Sequence, residues 1–447
     1  MSNQFDLLSQ KRFLPFFLTQ FLGAFNDNLF KTVLITLVAF HASTLSNLDG
    51  AALDGATIDG VTMATLLPGL FILPFFLFSA TAGQIADKYE KSQIIRWVKI
   101  LEIWIMLFAA AGFYWHQLWL LASALFLMGV HSTLFGPVKY AYLPQQLTEQ
   151  ELVGGNGMVE MGSFVAILLG QVLGAWLATH PNYELYTSVT VIGIAVIGYV
   201  SSRQIPLTPA LSSALRIQWN PVVETYRNVK LIWAQQSLWL AIVAISWFWF
   251  FGATLLAQFP NMAKLVLHGD ESVFILMLTV FSVGVGVGSL LCEKLSRNKA
   301  MLGLVMIGGL GFSCFTLDMF WVATHLPTHG AQAYGYLQFL NHANHWRLLM
   351  DIALVGVFGG FYIVPLYVLI QTLAEPAYRS RVIAANNIMN ALFMVVSALF
   401  SVSMFKSGYS IPQLFMLTAV INLLVMGYLC LRQPDYFLTF KTWIKRK

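Results

Sequence analysis

Long apolar segments follow one another along almost the whole of this 447-residue chain, separated by short polar stretches. A helix needs about 20 apolar residues to cross a bilayer, whereas a membrane β-strand needs about 10 residues of alternating polarity. These segments are too long and too uniformly apolar for a barrel, so the sequence predicts an all-α membrane protein with twelve transmembrane helices. The predicted spans lie near residues 13–40, 62–86, 93–115, 119–138, 155–178, 185–201, 238–263, 272–292, 300–324, 346–373, 382–405 and 411–431.

The charge content supports this fold class, since only 10% of the residues are charged. Soluble domains carry about 25% charged residues, so an ordinary soluble enzyme is excluded. Of the 25 lysines and arginines, 20 fall on one side of the predicted membrane and three on the other, and Lys31 and Lys99 lie within spans. Basic residues accumulate in cytoplasmic loops, so we expect both termini in the cytoplasm. The net charge of +5 then reflects this placement rather than nucleic-acid binding.

The basic segment 202–237 divides the spans into six plus six. The sequence therefore predicts an N-terminal six-helix bundle over 1–201, a cytoplasmic linker over 202–237, and a C-terminal six-helix bundle with a basic tail over 238–447. Within the linker, Asn220 followed by Pro221 is typical of a helix start. The apolar stripe that follows comprises Val222, Tyr226, Val229 and Trp233. This pattern predicts an amphipathic helix at the membrane interface.

A group of polar residues interrupts the first span, where Asn26, Asp27 and Asn28 are followed by Lys31. A charged side chain at bilayer depth costs at least about 2.5–3.5 kcal/mol. Such residues persist where they face a wet cavity or a partner inside a helix bundle, and they commonly mark a transport pathway. The alternative is a self-neutralising pair, because Asp27 and Lys31 are four residues apart and share one helix face. We favour the pathway.

Polar residues in the third, fourth and fifth spans extend this candidate site. Lys139 and Tyr140 fall at the predicted inner end of span four, where Lys139 either meets a phosphate as a point charge or snorkels to the interface. Asn156 and Glu160 are four residues apart on span five, and Glu160 either pairs with Lys139 or sits at the inner interface. In span three we expect Lys99 and Glu102 to form only a local pair near the cytoplasmic end. In spans ten and eleven, Gln371 and Asn386 either line a cavity or form interhelical hydrogen bonds.

The loop between spans two and three carries the strongest motif, which runs from Gly83 through Asp87 and Lys88 to Lys91. It resembles the loop signature G-x-x-x-D-[RK]-x-x-[RK] of the major facilitator superfamily. We expect Gly83 to permit close helix approach, and Asp87 to cap a helix or accept from a basic partner in the other bundle. Lys88 and Lys91 would face headgroups or carboxylates. A weaker echo with Glu293 and Lys294 follows span eight, as an internal repeat of this superfamily would place it.

Four further blocks resemble the bacterial lysophospholipid transporter family, most closely the branch fused to acyltransferase and acyl-activating domains. The blocks are Gln20 to Asn28, Gly136 to Tyr140, Asn156 to Gly170, and Gly356 to Gln371 with Asn386-Asn387. The resemblance implies a major facilitator fold that moves lysophospholipid from the outer to the cytoplasmic leaflet of the inner membrane for re-acylation. It also implies a span-seven arginine that pairs with the span-one aspartate, but Gln258 stands there in this chain.

The function classes that remain are few. No phosphate-cradling P-loop, acyltransferase motif or nucleophile elbow occurs, so we predict a secondary or facilitative transporter that is not an enzyme and needs no cofactor. The histidines His325, His329, His342 and His345 match no closed zinc ligand set, so we expect solvated loop residues and no metal. We expect a monomer among membrane lipids, with an acyltransferase or acyl-activating enzyme as its partner. The alternatives are an exporter of a small amphipathic compound, and a scaffold for a separate acyltransferase.

Overall fold

The computed structural model describes residues 4–40, 52–53, 56–57, 60–296, 302–326 and 335–445, and it is almost entirely helical. Its helices are α1 Leu14–Phe40, α2 Gly60–Lys88, α3 Lys91–Tyr114, α4 Leu118–Gln146, α5 Glu149–Ala178, α6 Tyr183–Ser202, α7 Pro221–Trp233, α8 Gln236–Asn261, α9 Glu271–Ser296, α10 Leu302–Thr324, α11 Tyr336–Leu340, α12 Ala343–Leu373, α13 Arg379–Lys406, α14 Ile411–Arg432 and α15 Asp435–Lys445.

A few short elements complete the described chain. The 3₁₀ helices Gln4–Ser9 and Pro376–Tyr378 precede α1 and α13, and the π-helical turn Met262–Val266 extends α8. The strands β1 Ala52–Leu53 and β2 Ala56–Thr57 pair antiparallel, with Ala52 opposite Thr57. The rest of the predicted outer loop over 43–61, apart from the first residue or two of α2, lies outside the described residues.

Each of the twelve predicted spans corresponds to one long helix. Eleven of the described helices are long and apolar enough to cross a membrane. The twelfth, α3, has 24 residues, enough for about 36 Å at 1.5 Å per residue, but it carries four charged side chains. These are Lys91, Arg96, Lys99 and Glu102. These charged side chains have a structural role, because the inner face of α3 packs against polar partners.

Two predicted boundaries are wrong by about two turns. Span four was expected to end near 138, yet α4 continues through Pro144 to Gln146. Span five was expected to begin near 155, yet α5 begins at Glu149, where Thr148 and Glu151 form a capping box. The reason is that apolar length reports only the part of a helix inside the hydrocarbon core, whereas both helices extend beyond it, α5 from its capping box. Lys139 therefore lies inside α4 rather than at its end.

Two amphipathic helices lie outside the long helices. Asn220 caps α7 by accepting from the backbone N–H groups of Val222 and Val223 at 3.0 and 3.2 Å, as its sequence predicts. The outward face of α7 exposes Tyr226 and Trp233, while Glu224 faces the protein. The helix α15 was not predicted, since only a basic tail was expected there. It packs against α10, where Gly303 leaves room for the α15 backbone.

The long helices form two sets around the middle of the molecule. Helices α1 to α6 pack mainly on one another, as α1 does on α5 and α2 on α4, and α8 to α14 do the same. The two sets meet chiefly where α5 packs on α9 and α2 on α13. Glycines permit this approach, since a Cβ on Gly83 of α2 would lie 2.7 Å from the Ala384 Cβ of α13. We call the end of the molecule at Gly83 the basic end, because most lysines and arginines lie there.

Candidate functional site

A cavity of about 390 Å³ lies between the two helix sets. Its walls come from α1 to α5 on one side and from α8, α12 and α13 on the other. The predicted site residues that line it are Gln20, Asp27, Asn28, Lys31, Lys139, Tyr140 and Glu160. Asn387, which belongs to one of the four family-like blocks, also lines it, and side chains that the sequence argument did not single out complete the wall, including Ser132, Ser163, Trp249, Tyr367 and Asn390. The cavity therefore joins polar residues from both sets.

Asp27 of α1 is held from α4 rather than from its own helix. Ser132 Oγ donates to Asp27 Oδ2 at 2.5 Å, and His131 Nδ1 lies 3.9 Å from Asp27 Oδ1. The alternative of a self-neutralising Asp27–Lys31 pair is wrong, since among the described residues no Lys31 nitrogen lies within 4 Å of the Asp27 carboxylate. Lys31 Nζ instead lies 5.3 Å from the centre of the Phe71 ring on α2. Although both residues share a helix face, their side chains point to different neighbours.

A buried ionic network lies behind Asp27, and the sequence argument underestimated it. Lys99 Nζ lies 2.6 Å from Glu102 Oε2, and both side chains are almost fully buried. Glu102 Oε1 accepts from Asn26 Nδ2 at 2.8 Å. His131 Nε2 lies 3.3 Å from Glu102 Oε2, the oxygen that Lys99 also contacts. The expected Lys99–Glu102 pair is therefore confirmed, but it is not merely local, because Glu102 also contacts α1 and α4. Charged residues inside a predicted span were the available signal.

Lys139 faces the cavity together with two polar neighbours. Its Nζ donates to Ser163 Oγ at 3.0 Å, and Ser163 Oγ donates to Gln20 Oε1 at 3.1 Å. The buried Gln20 Nε2 has no hydrogen-bond partner among the described residues. An anion in the cavity could accept hydrogen bonds from both nitrogens. Asn28 also lines the cavity, but its Nδ2 already donates to the Ala24 carbonyl at 2.8 Å.

Tyr140 bonds Glu160 within the first helix set and contacts Tyr367 of the second. The Tyr140 hydroxyl donates to Glu160 Oε1 at 2.6 Å, and the Tyr140 ring stacks on Tyr367 of α12 with centroids 4.2 Å apart. Of the two alternatives for Glu160, the ion pair with Lys139 is not formed within 4 Å, since Glu160 bonds Tyr140 whereas Lys139 bonds Ser163. Adjacent positions on α4 thus reach different partners on α5, because they differ by about 100° around the helix.

Five of the predicted site residues lie outside the cavity wall, and one of them is Asn26, whose amide bonds Glu102 instead. Asn156 and Gln371 exchange two hydrogen bonds, at 2.8 and 3.0 Å, between α5 and α12. Asn386 is fully buried, and its neighbours Asn387 and Asn390 line the cavity instead. Gln258 accepts from Asn261 Nδ2 at 3.0 Å and does not contact Asp27. Gln258, which stands where the resemblance implies an arginine, therefore does not take the place of that arginine beside Asp27.

Asp87 joins the two helix sets at the basic end. Its Oδ1 accepts from the backbone N–H of Ser380 at 2.9 Å, and its Oδ2 accepts from the backbone N–H and Nε of Arg381 at 3.3 and 3.0 Å. Asp87 thus caps the first turn of α13 and pairs with a basic residue of the opposite set. Glu224 of α7 lies near the same arginine. Burial raises the pKa of Glu224, and the charge of Arg381 opposes this rise.

The other residues of the motif and of its echo play unequal parts. Lys91 is buried at the start of α3, whereas Lys88 lies partly exposed with Nζ 5.6 Å from the Tyr89 ring centre. Glu293 Oε2 accepts from the backbone N–H of Gln4 at 3.1 Å, joining the N-terminal segment to α9. Lys294 is exposed and forms no hydrogen bond or ion pair with the residues that the structure describes. No contact therefore supports its predicted role in gating.

The histidine segment forms no metal site within the part of the chain that the structure describes. No group of three or more possible ligands is present among those residues. His329 lies outside them, and His325 is exposed. The expectation of a solvated loop is wrong for His345, which is buried in the first turn of α12. Its ring stacks on Phe339 with centroids 4.0 Å apart, and Nδ1 lies 2.8 Å from the Phe339 carbonyl.

Comparison with known proteins agrees with this architecture. The family model described as Major Facilitator Superfamily matches residues 16–330. The chain is 26% identical over 369 residues to "Lysophospholipid transporter LplT" of Klebsiella pneumoniae, covering 81% of each chain. It is 27% identical over 365 residues to the protein of that name from Escherichia coli O157:H7, covering 79% and 78%. The resemblance expected from the four sequence blocks is thus confirmed.

Solved structures are similar in fold at low sequence identity. The human organic anion transporter MFSD10 superposes with a TM-score of 0.72 at 13% identity, covering 93% of this chain and 99% of that one. The proton:xylose symporter XylE superposes with a TM-score of 0.66 at 12% identity, covering 93% and 95%. At these identities the likeness concerns the arrangement of the helices alone.

Proposed function

Because the chain belongs to the Major Facilitator Superfamily, we propose that it is a secondary or facilitative transporter of lysophospholipids. The observation that carries the proposal is the placement of Asp27, whose buried carboxylate lines a cavity bordered by both helix sets. Similarity to proteins named lysophospholipid transporters supports the substrate class. A polar cavity with apolar walls suits a molecule with one charged head and one acyl chain.

The headgroup route runs along the polar wall of the cavity. In this proposal the head passes Asp27 and Asn28, which line the cavity, and Lys139 or Lys31 meets its phosphate as a point charge. Lys139 already bonds Ser163 beside the unpartnered Gln20 Nε2, which supports an anion-binding role.

The acyl chain stays at the lipid-facing seam between α2 and α13. Both helices line the cavity, and their outer faces expose apolar side chains such as Leu77 and Leu399. A lysolipid would enter laterally from the outer leaflet between α2 and α13, so its acyl chain would not have to cross the polar wall of the cavity.

Contacts at the basic end form the inner gate of this proposal. The Asp87–Arg381 pair and the Asn156–Gln371 bonds close that end between the two helix sets. By the distribution of basic residues the basic end faces the cytoplasm. In this arrangement the cavity receives substrate from the outer leaflet of the bacterial inner membrane and delivers it inside for re-acylation, by an enzyme that is fused or separate.

Uptake of labelled lysophosphatidylethanolamine into spheroplasts tests the proposal. We expect Asp27→Ala and Lys139→Ala each to lower the initial rate at least tenfold, because each removes a charged group from the cavity wall. The matched controls Asp270→Ala and Lys264→Ala alter exposed residues outside the cavity and should leave the rate unchanged. Normal uptake by both cavity variants would refute the site, and no uptake by the unmodified protein would refute the substrate.

A further inference from the structure

Two cations at the basic end have no acidic partner in contact with them. Lys91 at the start of α3 is 1% exposed, and its buried Nζ donates to none of the described residues. Arg379 begins α13 in the opposite helix set, and its buried Nε also lacks a hydrogen-bond partner within the described chain. No carboxylate oxygen of a described residue lies within 4 Å of either side chain. Burying a cation without a contacting counter-charge is costly.

The two nearest acids serve the starts of the helices instead. Asp87 accepts two backbone N–H groups of the first turn of α13 and the guanidinium of Arg381. Glu90 caps α3 and accepts from one backbone N–H group of that helix at 3.2 Å and from one of the linker at 2.8 Å. Both carboxylates thus offset the positive ends of helices. Neither one bonds Lys91 or Arg379.

Lys91, Arg379 and Asp87 nevertheless lie close enough for their charges to interact. Lys91 precedes the predicted span 93–115, and burial lowers its pKa to about 8. The charge of Asp87 opposes this fall, that of Arg379 adds to it, and that of Glu90 opposes it. The amine therefore stays mainly protonated at neutral pH. A protonated amine and a guanidinium from opposite helix sets thus lie near each other at the inner gate.

From this arrangement we propose that Lys91 and Arg379 form a second phosphate-binding site, at the inner gate, which receives the headgroup phosphate of a lysolipid as it leaves the cavity. The inference rests on the proposed function and adds a contact on the exit side of Lys139. A phosphate oxygen accepts charge-assisted hydrogen bonds from ammonium and guanidinium groups, and the planar guanidinium can bind two oxygens at once. Arg379 is partly exposed, so the site borders the surface of the basic end.

Binding at this site favours the open gate. Lys91 is covered in the closed molecule, so an anion reaches it only after α13 moves away from α2 and α3. A phosphate there also offers Arg381 an anion other than Asp87. The ligand therefore binds the open state more tightly than the closed one, and this difference in affinity shifts the population toward opening.

A titration followed by spin-label distances tests the site. Labels on Tyr89→Cys and Glu375→Cys, in a chain without its native cysteines, stand on exposed positions beside α2 and α13 and report opening of the basic end. The probes are lysophosphatidylethanolamine, a monoacylglycerol with the same acyl chain, and inorganic phosphate. We expect the lysolipid to increase the population with the longer distance. The monoacylglycerol has no phosphate and should need at least about tenfold more probe for the same change.

Substitution of either cation should weaken this response. Lys91→Gln and Arg379→Gln should each raise the half-saturating concentration of the lysolipid about tenfold or more, because each loses a hydrogen bond to a charged group. Lys91→Arg keeps the charge and should retain most of the response. A change with inorganic phosphate alone would show that the site accepts the free ion, and a change with the lysolipid alone would show that it requires the lipid headgroup.

Controls separate the site from a loss of structure. Lys230→Gln and Arg216→Gln alter exposed basic residues of the linker and should leave the half-saturating concentration unchanged. Thermal unfolding in detergent reports whether each variant is folded. A parental half-saturating concentration in both Lys91→Gln and Arg379→Gln, or equal responses to lysolipid and monoacylglycerol, overturns the site. Transport of the lysolipid into vesicles would then leave the proposed function standing. An unmodified protein that neither transports the lysolipid nor responds to either phosphate probe overturns both.

Discussion

Removing the Asp87 carboxylate should open the basic end of the molecule. Asp87 is 1% exposed in its side chain and accepts three hydrogen bonds from α13, one of them from the Arg381 guanidinium. A hydrogen bond to a charged group contributes about 1.5–3 kcal/mol. Loss of the Arg381 interaction alone should therefore shift the ratio of closed to open molecules by about 10- to 150-fold. The two backbone bonds at the start of α13 add to this shift.

Distance measurements between spin labels can detect the change directly. Labels on Tyr89→Cys and Glu375→Cys would stand on exposed positions beside α2 and α13, after the three native cysteines are replaced. In the otherwise unmodified protein we expect one short distance, and in Asp87→Ala a second, longer distance that becomes predominant. Asp270→Ala, an exposed acid outside this contact, should leave the short distance alone. An unchanged distribution in Asp87→Ala would refute the reasoning that this carboxylate holds the basic end closed.

Three further substitutions test other contacts. Gly83→Val places a side chain against α13 and should destabilise the closed basic end by about 1–3 kcal/mol, which lowers the melting temperature. Gly193→Val places its side chain in open space and should leave the melting temperature unchanged. Glu102→Gln leaves its buried lysine partner without a counter-charge and should cost about 3–5 kcal/mol, whereas the exposed Glu149→Gln should be silent in the same melting assay. Gly303→Leu should displace α15 from α10, because even a Cβ there would lie 2.8 Å from the α15 backbone. Limited proteolysis should then remove α15. Proteolytic resistance equal to that of the parent protein would contradict this docking.

Local sequence determined the parts of this protein that depend on neighbouring residues. Long, mainly apolar segments located all twelve long helices, including the charged α3, because lipid leaves a backbone no alternative to internal hydrogen bonds. Local capping chemistry predicted the start of α7 at Asn220 and Pro221. The boundary between α4 and α5 was missed, because both helices extend beyond the apolar run that marks the hydrocarbon core.

Tertiary structure decided which polar side chains meet. The residues Asp27 and Lys31 share a helix face, yet Asp27 bonds α4 and Lys31 lies over α2. Lys99 and Glu102 looked like a local pair, but the rotation of α3 turns them inward to meet α1 and α4. Sequence spacing fixes only the angle between side chains on one helix. The rotation and tilt of each helix against its neighbours come from the packing of the whole bundle, so only the folded molecule selects the partners of a buried charge.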